Sequence, residues 1–245
     1  MSVDPTSAPI ASTSSEPTPQ QAAAAKPGKN ARGRPTDDPD TRWSKTLSYI
    51  LRHGASKEGL TLRADGFVRV DDLMKRPKLK GCNMETLERI VRDNAKQRFS
   101  MRTEPTGENG ADELWIRANQ GHSVKVEALE LKPVEKAEDV PTMVHGTYNR
   151  LWPAIEKEGL KVMTRNHIHC AVGLAGETGV ISGMRNNCDL FIYLDVPQLL
   201  ADGIPVYTST NSVVLTGGID GVVPPKYFAK VVRKNGEVLV SAASA

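Results

Sequence analysis

The chain has 245 residues, is 25% charged and 39% hydrophobic, and carries a formal net charge of +3. No apolar run approaches the roughly 20 residues of a membrane span, and the N-terminal MSVDPTSAPIASTSSEPTP lacks the basic and apolar regions of a secretory signal. Three cysteines without CxxC spacing, Cys82, Cys170 and Cys188, argue against a disulfide framework and for reduced thiols of an intracellular protein, cytoplasmic or nuclear.

Residues 1–40 hold 7 of the 16 prolines and no aromatic residue. Such a segment buries too little apolar surface to offset its chain entropy and reads as a disordered tail. Its KPGKNARGRP stretch can attract RNA or DNA non-specifically, or act as a solvated linker. From Thr41 the pattern changes. In TRWSKTLSYILRHG, Trp43, Leu47, Ile50 and Leu51 recur at helical spacing, and Gly54 is placed to end the helix. LTLRADGFVRV reads as a hairpin turning at Asp65-Gly66. Asp71 is placed to cap a short helix ended by Pro77, and Asn83 to cap NMETLERIVRDNA. FSMRT and ELWIRA follow as strands joined by EPTGENGAD.

Charge is unevenly placed. Residues 41–120 carry 16 basic and 11 acidic side chains, against 4 and 5 in residues 1–40 and 12 and 13 in residues 121–245. Helices followed by a polar-looped β-hairpin, together with this basic excess, predict a winged-helix-like nucleic-acid-binding lobe over 41–131.

KPVEKAEDVP, residues 132–141, reads as a proline-bounded connector into a second lobe, 132–235, followed by a C-terminal tail, 236–245. TMVHGT reads as a strand, NRLWPAIEKEG as a helix closed by Gly159, and HIHCAV, LFIYLDV, NSVVLTG and FAKVVR as further strands. Short strands with few helices predict an α+β fold. No GxGxxG is present, so any dinucleotide site is not of Rossmann type.

Several short motifs carry candidate chemistry. In TRNHIHC, His167 and His169 share a strand face and could approach zinc, but Arg165 would repel a cation and no HExxH or CxxC supplies a third ligand. An ordinary core strand is also open, but the pattern favours an anion or cofactor site, because a cation beside two imidazoles suits phosphate oxygens. In LRHG, Arg52 and His53 sit at a helix end, where basic residues are also plain caps. In KQRF, Arg98 directly precedes a strand. HGT, His145 to Thr147, ends a strand where Gly146 could admit a ligand close to the backbone. GVISGMR joins flexible glycines to Ser182 and Arg185, a combination suited to a pyrophosphate or to a plain turn. QGHS, Gln120 to Ser123, closes the basic segment.

The order of these motifs is more specific than any one of them. LSYILRHG, KQRF, ANQGHS, HGT, RNHIHCA and GVISGMR, from about Trp43 to Val232, are together similar to the tRNA 2′-phosphotransferase family. The resemblance implies a winged-helix-like RNA lobe, an ADP-ribosyltransferase-like lobe that binds NAD, and transfer of an internal RNA 2′-phosphate to NAD at a tRNA splice junction. The products implied are 2′-hydroxyl RNA, nicotinamide and ADP-ribose 1″,2″-cyclic phosphate. The family's catalytic positions fall on Arg52, His53, Arg98 and Arg165. His145, Gly146 and Thr147 are implied to hold NAD, with His169, Ser182 and Arg185 as further contacts; no metal, membrane or obligate protein partner is implied. The family often has a hydroxyl residue where this chain has Cys170 and Ala171. Two other functions fit the same motifs: an RNA-binding module whose second lobe is not catalytic, and ADP-ribosylation of nucleic-acid phosphate ends.

Overall fold

The structure, a computed structural model, describes residues 32–105 and 112–241. Most of the expected N-terminal tail, the tip of the EPTGENGAD loop and residues 242–245 lie outside them. The chain folds as α+β, with antiparallel sheets throughout the described residues.

Helix α1 spans Pro39–Tyr49, started by Asp38, whose carboxylate accepts from the Thr41 N–H, and by Pro39 at its first turn. The helical run does end at Gly54 as expected, though not through a left-handed cap there. The chain widens into a π turn over Ile50–Gly54 and a 3-10 turn over Ser56–Glu58, ending at Gly59 with φ 67°. Gly54 serves packing instead, since a Cβ there would lie 2.6 Å from the Tyr49 ring. The expected hairpin fails to form. Its turn is present, with Gly66 N–H donating to the Arg63 carbonyl at 2.8 Å, but only Val68–Arg69 forms a strand, β1. Across the turn Arg63 N–H still donates to the Phe67 carbonyl at 2.9 Å, and the Arg63 guanidinium pairs with Asp65 and Glu104 at 2.8 and 2.7 Å.

Helix α2 (Val70–Met74) starts at Arg69, so Asp71 lies in its first turn rather than at the cap, and Pro77 opens a separate 3-10 turn. Helix α3 (Met84–Arg92) is capped by Asn83 as expected, through a 2.9 Å bond from Thr86 N–H. Strands β2 (Phe99–Pro105) and β3 (Asp112–Ala118) pair antiparallel, and the sheet runs β1-β3-β2. Trp43, Leu47, Ile50, Leu51, Leu73, Leu87 and Ile116 fill one hydrophobic core beneath it. Each such side chain contributes about 1.5–3 kcal/mol by leaving water.

The second half opens earlier than expected. Leu131–Pro133, at the start of the connector, is strand β4. Then follow β5 (Val144–Thr147), α4 (Trp152–Glu158), β6 (Leu160–Lys161), β7 (Ile168–Cys170), β8 (Leu190–Leu194), α5 (Val196–Ala201), β9 (Val206–Ser209), β10 (Val214–Thr216), β11 (Val222–Val223), β12 (Phe228–Arg233) and β13 (Val238–Ser241). Two four-stranded sheets, β4-β9-β10-β7 and β13-β12-β8-β5, are joined by a bridge between Val144 and Ala171. Met143, Leu190, Ile192, Leu199, Val214 and Val231 lie between them in a second core. The expected C-terminal tail is corrected by β13, which pairs Val240 with Val231 and extends the sheet. Among the described residues, no helix is long and apolar enough to cross a membrane.

Candidate active site

The π turn that interrupts the first helix carries Arg52 and His53, and such turns inside helices recur at functional sites. The QGHS segment holds both. Gly121, at φ 87°, lies against the Arg52 guanidinium, where a Cβ would sit 3.5 Å from Cζ. Ser123 N–H donates to the Arg52 carbonyl at 3.0 Å, and Ser123 Oγ lies 2.9 Å from His53 Nδ1. Arg98 is presented by a tight turn in which Gln97 adopts φ 42°, a left-handed conformation costly for a non-glycine residue. The turn is fixed by Asn94 Oδ1, which accepts from the Arg98 N–H at 3.2 Å and from its guanidinium at 3.1 Å.

From the second core, Arg165 arrives in the turn before β7, its N–H on the Val162 carbonyl at 3.1 Å. His145 on β5 bonds through Nδ1 to the His169 carbonyl at 2.9 Å, tying the HGT strand to the RNHIH strand. Gly146 is required by its neighbours, for a Cβ would lie 2.9 Å from Cys188 Sγ and 3.0 Å from Met184 Cβ. Gly183, at φ 112°, presses the GVISGMR loop onto β7, within 2.7 Å of the Cys170 carbonyl for any added Cβ.

Nine of the ten sequence-derived site residues line one cleft of about 280 Å³: Arg52, Arg98, Arg165, His145, Gly146, Thr147, His169, Ser182 and Arg185. His53 does not line it. With Arg52 and Arg98, it lines instead an adjoining groove along α1. Sequence reasoning missed Lys96, Gln120 and Met184, which also line the cleft. Lys96 was visible as the first residue of KQRF. It crosses between the two cores, its ammonium on the Met184 carbonyl at 3.2 Å and its carbonyl receiving Asn211 Nδ2 at 2.9 Å. His167 turns away, edge-on to Tyr207, and lines a second cavity with His122 and His169. Among the described residues, no group of three His, Cys, Asp or Glu gives this pair a further metal ligand.

The electrostatics are those of an anion site. Among the described residues, no carboxylate pairs with Arg52, Arg98, Arg165 or Arg185. Arg52 Nε and Nη2 are buried with no hydrogen-bond partner. Burial first, then the charges of Arg98 and Arg165, bring the Arg52 pKa down to about 10. Burial lowers Arg98 and Arg165 as well, the latter helped by Arg185. Burial also depresses His53, His122 and His169, the last two to about 4 and about 3, with neighbouring arginines adding to each shift. These imidazoles are therefore neutral at pH 7. Uncompensated cations and unpartnered donors converging on a cleft are what a bound polyanion would satisfy.

An α+β chain that builds such a cleft between two cores, with neutral imidazoles beside it, has a site suited to a phosphate-bearing ligand. Residues 38–218 match the family described as RNA 2′-phosphotransferase, Tpt1 / KptA family. The chain is 48% identical over 209 residues to tRNA 2′-phosphotransferase 1 of Bos taurus, covering 84% of this chain and 81% of that one. It is 37% identical over 206 residues to tRNA 2′-phosphotransferase of Saccharomyces cerevisiae, covering 81% and 86%. A longer relative from Schizosaccharomyces pombe is 44% identical over 225 residues, covering 92% of this chain and 59% of that one. This chain belongs to the RNA 2′-phosphotransferase family.

Proposed function

We propose that the protein removes an internal 2′-phosphate from RNA, at tRNA splice junctions, by transferring it to NAD. The observation that supports this most is the set of arginines, Arg52, Arg98 and Arg165, drawn from both cores onto one cleft without a carboxylate among them. On this reading the first core belongs to a winged-helix-like RNA lobe and the second to an ADP-ribosyltransferase-like NAD lobe. NAD fits the donor set as well: His169 has both ring nitrogens buried and unpartnered at the cleft wall, and Ser182 and Arg185 flank it from the opposing loop.

When bound, NAD supplies a ribose carbon that accepts the phosphate with loss of nicotinamide, and a neighbouring hydroxyl whose attack frees the RNA as a 2′-hydroxyl and leaves ADP-ribose 1″,2″-cyclic phosphate. The 2′-phosphate is already anionic, so the chain's contribution to the first transfer is position and charge neutralisation by Arg52, Arg98 and Arg165. The second transfer needs a proton removed from a hydroxyl. With its proton on Nδ1, His53 donates to Ser123 Oγ and leaves Nε2 to take the proton from the attacking hydroxyl and pass it to the departing RNA 2′-oxygen. Arg165 neutralises charge on the phosphoryl oxygens. His145, Gly146 and Thr147, on a strand that lines the cleft, would hold the cofactor.

The test is RNA with an internal 2′-phosphate incubated with and without NAD. Release of 2′-hydroxyl RNA only with NAD is expected; equal release without it would rule the reading out. Two further results follow from the geometry. A neutral His53 base whose pKa is lowered by burial places the acid limb of the kcat profile below pH 6.5, with activity lost as pH falls through it. A limb centred above 6.5 would exclude His53 from that role. Gly183→Ala forces the GVISGMR loop off β7 and is expected to raise KM for NAD more than it lowers kcat, measured by initial rates at saturating RNA.

A further inference from the structure

The segment Arg32–Asp37 precedes the residues that match the family, which begin at 38, yet it is fastened to the catalytic helix. Arg32 N–H donates to Thr46 Oγ1 at 2.8 Å, and Thr46 is fully buried. Asp37 accepts from Arg34 N–H and from Lys45 Nζ, both at 2.6 Å. Gly33 turns at φ 119°, where a Cβ would stand 2.8 Å from Asp37 and 3.0 Å from Arg42. The Arg32 guanidinium lies 3.7 Å from the centroid of the Tyr49 ring.

So fastened, the segment forms one wall of a groove of about 640 Å³ that leads to Arg52, His53 and Arg98. Among the described residues, two of the three acidic side chains along it are ion-paired, and the third is a helix cap. Asp38 caps α1, Asp40 pairs with Arg89 at 2.9 Å, and Asp93 pairs with Arg92 at 2.8 Å. The charge left to a ligand is cationic, with Arg32 at the wall and Arg52 and Arg98 at the inner end. Between them lie the hydroxyls of Ser44 and Ser48 and the face of Tyr49.

We infer that this groove binds the RNA strand flanking the 2′-phosphorylated nucleotide, with Arg32 on a backbone phosphate. The inference rests on the 2′-phosphate reading above. A polyanion threaded to the catalytic arginines needs cations along its path. An arginine stacked on a ring has already lost most of the freedom that binding would cost. The contact carries no base information, so it affects affinity for any flanking sequence.

The test uses the full chain and its Arg32→Ala and Arg32→Glu variants on two substrates, a 2′-phosphorylated dinucleotide and a longer single strand carrying the same nucleotide. For Arg32→Ala, KM for the longer strand is expected to rise by about fivefold, and the slope of log affinity against log salt to fall by about one, the signature of one lost phosphate contact. Arg32→Glu raises that KM further. Turnover on both strands, KM for the dinucleotide and the unfolding midpoint stay unchanged. An unchanged KM on the longer strand overturns the inference, as does an equal loss on both substrates, which marks a purely structural segment. A lowered KM also overturns it, because the segment would then obstruct the groove. Failure of the unaltered protein to release phosphate from either strand with NAD defeats instead the reading beneath it.

Discussion

Arg52→Ala is expected to lower kcat/KM for 2′-phosphate release by about 10²–10³-fold, the range found when one preorganised charge-stabilising donor is removed from a dry site. Two of its donors are buried without partners, so a bound phosphate gains bonds that no protein group competes for. Lysine should not restore the rate, because a point charge cannot reproduce a fork fixed against Gly121. Stability should move the other way. Arg52 is held among like charges, which already depress its pKa to about 10, so its removal is expected to leave the unfolding midpoint unchanged or higher. Steady-state rates together with a thermal melt separate the two effects. Near-normal activity in Arg52→Ala would remove this residue from the chemistry.

His53→Ala is expected to divide the reaction. The arginines remain, so nicotinamide release continues, at about one equivalent per RNA. Appearance of 2′-hydroxyl RNA slows by about 10²–10⁴-fold, the usual contribution of a positioned acid–base group. Quenched single-turnover reactions that count both products would show it, and equal slowing of the two would assign His53 to binding alone. Ser123→Ala tests how the ring is aimed. Losing one neutral hydrogen bond, worth about 0.5–1.5 kcal/mol, lowers kcat by about two- to tenfold and leaves KM for NAD unchanged.

Much of this site was legible as ordered motifs, because each is a run of side chains whose place in the cleft is set by local backbone. Arg165 and His169 belong to one strand and its turn; Ser182 and Arg185 belong to one loop. What the sequence concealed is longer in range. Lys96 belongs to the site because Asn211, 115 residues away, takes its carbonyl. Gly146 lines the cleft, but its need for glycine comes from Cys188 and Met184, about 40 residues on. Helix periodicity found α1 but not its π turn, since Trp43, Leu47, Ile50 and Leu51 stay buried through the change of pitch. RADG is legible as a turn but not as the end of a hairpin, because the strand after it, β1, pairs with β3, about 47 residues on, instead of folding back on 61–64. β13 went unread because a short strand at a sheet edge has only its partner, β12, to declare it.

The Lys96 crossing has a consequence for the order in which the molecule comes into being. Arg52 and Arg98 leave the ribosome well before Arg165, and the second core closes only when β12 is added. A chain interrupted between them would hold Arg52 and Arg98 but lack Arg165, Ser182 and Arg185, which form the rest of the cleft. The cleft is thus a late product of synthesis, complete only once the segment that Lys96 contacts has been made.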